Sequence, residues 1–285
     1  MASRKVSDPE GLTPQRPVLE LSGPKLRMAF ETLVNASEAV GGIERFVAAV
    51  KLKSQVFQDR LGDGKAATVD RAGLEQLAQL MATVRRRLGR LIDGHGWPKV
   101  QAAIAALLDG ATDTTIADTR IAAFVTTFPD GRDTRFVRDL AAEILHNVLP
   151  ECYPLMQRWV WDTKANSGVI REIWHGDAVD NIVIDISDSY ESFLMLREEL
   201  SQFLADNGVF RDMLWHVDQL CAQVYGDYIN AQGGAWLKTE FGSRSDPLEH
   251  TRRILGLDRV AGKRAGKDKT IDGTAGTLPP AKLLS

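Results

Sequence analysis

A chain of 285 residues, 44% apolar and 26% charged, is long enough for one large or two small packed domains, and its composition excludes a wholly disordered or fibrous protein. No window approaches the roughly 20 consecutive apolar residues of a membrane helix. Neither end pairs a basic stretch with an apolar run, so the sequence reads as soluble, unexported and cytoplasmic.

Two cysteines, Cys152 and Cys221, are too few for a disulfide framework and sit among apolar neighbours, as expected in a reducing compartment. The net charge of −3 conceals a polarity along the chain. Residues 1–142 hold 20 basic and 17 acidic side chains, residues 143–257 hold 9 and 18, and residues 258–285 hold 6 and 3. An acidic region between mildly basic flanks is read as a solvated face or as a contact for a basic partner.

Residues 1–24 carry Pro9, Pro14, Pro17 and Pro24 with few large apolar side chains, and are expected to form a disordered arm. A helix around 25–35 is then broken by Gly41-Gly42. Ile43, Phe46, Val47, Val50, Val56 and Phe57 mark one face of the next. Asp70 is a candidate cap for a helix over 71–93. Its Leu74, Leu77, Met81, Val84, Leu88 and Leu91 step by three and four as a heptad seam able to pair within or between chains, which makes 74–91 the candidate surface for a homo-oligomer. "GHGWP" ends that helix. Shorter ones are expected over 99–109, 115–127 and 133–148, completing a helical subdomain over 25–142.

The second subdomain, 143–257, opens on "EILHNVLPECYPLMQRWVWD", with a further helix expected near Glu151 or Pro154. In it Met156, Trp159 and Val160 recur at helical spacing as core, while Trp161 and Asp162 point elsewhere. All four tyrosines and five of the six tryptophans lie between 153 and 236. That density exceeds what a core needs and marks Trp161 as a candidate partner contact. Two β-branched runs separated by "GDAVD" predict a β-hairpin over 168–186. After caps at Ser187 and Asp188, two helices follow, separated by Gly208 and ending at Gly233-Gly234. Residues 258–285 form an expected flexible basic tail ending in Leu283 and Leu284, a candidate docking peptide. The fold class is therefore mainly α, with two helical subdomains, a small hairpin inserted in the second, and disordered arms.

Chemistry is sparse. Glu143-x-x-His146 places a carboxylate and an imidazole on one side of a helix, as di-iron bundles do, and Asp212 with His216 adds an i, i+4 pair. Those four are the candidate metal ligands, for iron or manganese, with Glu191, Glu198 or Glu199 as a further donor. Glu172-x-x-His175 falls in the expected hairpin, where residues three apart face opposite ways. The thiols lack an oxyanion loop or a nucleophile elbow, and no glycine-rich phosphate loop occurs, so nucleotide-driven chemistry is not expected.

Between Glu172 and Leu196 the acids Asp177, Asp180, Asp185 and Asp188 have no interleaved lysine or arginine and offer a contact for a basic partner. "VRRRLGR" over 84–90 places Arg86 and Arg90 on one helical face with Arg87 beside it, a phosphate grip in form. The acidic second half argues against direct nucleic-acid binding. The favoured expectation is a non-enzymatic accessory, assembly or regulatory protein acting through protein contacts, without a cofactor. The alternatives are a helical-bundle non-haem iron or manganese oxidase or oxygenase and a nucleic-acid-associated regulator.

Overall fold

The structure is a computed structural model that describes residues 19–129, 135–175, 182–237 and 247–259. Eleven α-helices are formed among the described residues. The first, α1 (Gly23–Glu38), has Pro24 in its first turn, where the missing N–H costs nothing. Next come α2 (Ile43–Leu61), α3 (Arg71–Gln79), α4 (Leu88–His95), α5 (Trp97–Leu108) and α6 (Ala117–Thr126). The series continues with α7 (Val137–Val148), α8 (Val169–Glu172), α9 (Tyr190–Asp206), α10 (Met213–Leu237) and α11 (Glu249–Ile254), and a single 3-10 turn follows at Leu257–Arg259. No described helix is long and apolar enough to cross a membrane.

Helix α7 is buried at every position except Arg138. Ala141 and Ala142 keep its girth small, so α2 and α6 pack directly against it. Helix α10 runs alongside α1, α9 and α11. Buried apolar residues from both sides of position 142, from Leu26 and Phe57 to Phe193 and Leu220, belong to one continuous cluster.

The heptad seam does not form one helix. Helix α3 begins where expected, Asp70 accepting from the Gly73 amide at 2.7 Å, but it stops at Gln79 and the chain passes through tight turns before α4. In those turns Leu80, Met81 and Val84 each bond the carbonyl three residues back. A close approach accompanies the break. Gly256, at φ +75°, lies against the Leu80 carbonyl so tightly that a Cβ would collide with it. Leu74, Leu77, Met81, Val84, Leu88 and Leu91 are nonetheless all buried in the chain's own core.

The expected hairpin is corrected as well. Residues 169–172 form the helical turn α8, residues 182–188 form no strand, and residues 176–181 lie outside the described set. Val169 and Ile170, adjacent in sequence, are both fully buried, and a short run covered on all sides has no period to distinguish helix from strand. Pairing goes elsewhere: the Ser22 amide donates to Ile173 and the His175 amide to Glu20, each at 2.7 Å. Leu19 to Ser22, expected in the free arm, are thereby docked, with Leu19 buried.

No helix begins at Glu151 or Pro154. That segment is a buried run of turns, and Met156, Trp159 and Val160 are core as expected. Gly168, at φ +118°, allows the turns to close, since a Cβ there would meet the Val160 carbonyl oxygen at 2.7 Å. Helix α10 continues through Gly233-Gly234 to Leu237.

Candidate functional site

Two polar assemblies stand out against this apolar interior. The first is buried, where α2, α7 and α10 meet. Lys53 pairs with Glu143, both 5% exposed, and its ammonium also donates to the Leu255 carbonyl at 2.8 Å. Gln157 Nε2 donates to the other Glu143 oxygen at 3.1 Å. One turn along α7, His146 Nδ1 lies 2.8 Å from the Tyr153 carbonyl and Nε2 lies 2.9 Å from Asp218 Oδ2. A carbonyl and an ionised carboxylate only accept, so the arrangement suits an imidazolium, whose two ring nitrogens both donate. Burial pulls its pKa down, but the Asp218 charge and hydrogen bond, helped by the Tyr153 carbonyl, hold it above the ordinary histidine value on balance.

Glu143 and His146 are therefore neighbours, as the sequence implies, but each is committed to a partner from another segment. Asp212 is on the surface, bonded to Lys51 at 2.7 Å. His216 is half-buried, and burial lowers its pKa against the opposing carboxylates of Asp212 and Glu44. The four expected ligands do not converge. Among the described residues no group of three or more His, Cys, Asp or Glu is arranged to hold a metal.

The expected partner contacts are also resettled. Trp161 is 0% exposed and its indole donates to the Ile186 carbonyl at 3.0 Å, so it is core rather than surface. Asp185 is exposed, whereas Asp188 takes up Arg138 through both its carbonyl and its carboxylate. Asp177, Asp180, Leu283 and Leu284 lie outside the described residues. Both thiols are free, and burial pushes the Cys221 thiol far up, beyond nucleophilic use.

The second assembly is a pocket of about 440 Å³ between the 82–87 turns, α10 and α11. Arginines 85, 86, 87, 158 and 253 line it together with His250, Tyr225 and Ile229. Two of the five are already neutralised. Arg85 makes a fork of 2.7 and 2.8 Å to Asp258, and Arg158 reaches the buried Asp139 at 2.7 Å with its own amide bonded to the same carboxylate. Arg86 and Arg253 have no carboxylate partner among the described residues, and Arg87 has only the Phe136 ring, 6.0 Å away. Three exposed guanidiniums thus rim a pocket whose floor is fixed by two ion pairs. The Tyr225 ring forms part of the wall, backed by Trp159 at 5.6 Å and Tyr228 at 5.8 Å. In the same lining, the Thr83 hydroxyl is buried with no partner among the described residues.

Of this pocket, "RRR" at 85–87 is the part visible as a motif. Tyr225, His250 and Arg253 carry no local signal, because they join it through the packing of α11 on α10, and Arg158 joins it through its pairing with Asp139 on α7. Compared with protein-family models, curated proteins and solved structures, the chain matches none.

Proposed function

We propose that this protein is a non-catalytic accessory or regulatory protein whose recognition site is the arginine-lined pocket and whose ligand is an anion. The observation that carries the reading is the charge balance of that pocket: Arg86, Arg87 and Arg253 face one cavity with no carboxylate set against them among the described residues. Guanidinium groups gathered without counter-charge repel one another, and an anion relieves that while gaining charge-assisted hydrogen bonds of about 1.5–3 kcal/mol each. The only acid in the lining among the described residues, Asp139, is held by Arg158 and is not placed to act as a base.

The free thiols fit a reducing, cytoplasmic setting. The oxidase reading finds no support, since Glu143, His146 and Asp212 already hold Lys53, Asp218 and Lys51. A nucleic-acid backbone is the second reading, favoured by one fact: a further exposed arginine, Arg90, follows closely on α4 outside the pocket.

Titration calorimetry of the full chain with inorganic pyrophosphate at low salt tests the proposal. Saturable binding at one site that weakens at least tenfold in Arg86→Ala/Arg253→Ala supports it. No saturable heat, or an unchanged affinity in the double variant, refutes it. Tighter binding of a single-stranded oligonucleotide, lost together with Arg90→Ala, would favour the second reading.

A further inference from the structure

The same pocket also has an apolar half, and it narrows the class of anion. Tyr225 stands in the wall beside Ala82, Ile229 and Ile254. Its ring is held from behind by Trp159 and Tyr228, at interplanar angles of 50° and 38°, so it is supported while still lining the cavity. Its hydroxyl has no hydrogen-bond partner among the described residues. Free inorganic phosphate would use the arginine rim and leave this wall uncovered. A cavity of about 440 Å³ falls within the range of small-molecule sites, which is far larger than one phosphate group needs.

We infer, resting on the anion-binding reading above, that the ligand is a phosphorylated compound bearing a flat ring, of the nucleoside mono- or diphosphate class. Its phosphates meet Arg86, Arg87 and Arg253, and its ring lies against Tyr225. Stacking on an aromatic face tolerates any base and is a recurrent means of holding nucleobases. Arginines that present planar forks suit phosphate oxygens better than lysines would. Asp139, the acid in the described lining, is committed to Arg158 and leaves the arginine rim without a competing carboxylate.

The test compares three probes on the full chain by calorimetry: adenosine diphosphate, pyrophosphate and adenosine, with Tyr225→Leu and Tyr225→Phe as variants. The nucleotide is expected to bind at least tenfold tighter than pyrophosphate. Tyr225→Leu should bring the two within threefold while leaving pyrophosphate affinity unchanged, and Tyr225→Phe, which keeps the ring, should retain most of the difference. Equal affinity of pyrophosphate and nucleotide in the parent chain overturns the ring inference and leaves the anion site standing. Should Tyr225→Leu lose its fold, as seen by circular dichroism, the parent-chain ratio and Tyr225→Phe decide alone. Binding of neither phosphate compound overturns this inference together with the reading beneath it.

Discussion

Lys53 and His146 set the terms at the scale of single residues, because each is a buried cation answered by a buried carboxylate. Removing one partner strands the other in a low dielectric. Lys53→Met should therefore cost about 3–5 kcal/mol in denaturant unfolding, and Lys53→Met/Glu143→Leu should recover most of that loss. Equal destabilisation in single and double variants would mean the pair itself, rather than a stranded carboxylate, is the source. The imidazolium makes a separate, pH-dependent statement. Its folded-state pKa is raised, so its contribution is complete below the unfolded value near 6.5 and is lost as pH rises through the higher folded value. Unfolding midpoints should fall as pH is raised above about 6.5. Asp218→Asn, which removes the charge that holds the proton, should flatten that slope.

At the scale of elements, the turn at 80–87 and the 3-10 turn at Leu257–Arg259 form one unit. Gly256 brings them into contact and the Arg85–Asp258 fork closes them. Gly256→Ala should destabilise by more than the roughly 1–3 kcal/mol of its positive φ alone, since the added Cβ strikes the Leu80 carbonyl. It should also weaken anion binding in calorimetry, because Arg86 and Arg87 ride on the displaced turn. This unit explains what the sequence conveys and what it withholds. The apolar stepping of Leu74 to Leu91 predicts burial at all six positions, and burial is what it reports. It cannot report that the helix stops between them, where a distant glycine lies against Leu80. Likewise α1, α2, α9 and α10 are legible from periodicity, whereas Val169-Ile170 is not, since burial on every side erases the pattern. Of the site, Glu143 and His146 are recognisable as inward-facing. Their partners, Lys53 and Asp218, lie 90 and 72 positions away and carry no mark of it.

For the molecule as a whole, the charge polarity read from the sequence is partly folded away. Acids of the region 143–257, Glu143 and Asp212 among them, answer cations of the first half, Lys53 and Lys51, so the two halves are tied by ion pairs as well as by one core. The basic rim that this leaves over predicts a strong ionic-strength dependence: pyrophosphate affinity should fall severalfold between 50 and 200 mM salt, tracked by calorimetry. A salt-insensitive affinity would point to binding elsewhere. The Arg85–Asp258 fork joins positions 173 apart in sequence, and it gives the pocket a place in time. A chain emerging from the ribosome folds from its first residues onward. It has Arg86 and Arg87 early but cannot form their pocket until Arg253 and Asp258 have been made and seated. Ligand occupancy therefore waits until synthesis has passed residue 258, and a chain stopped before Arg253 would be blind to the ligand.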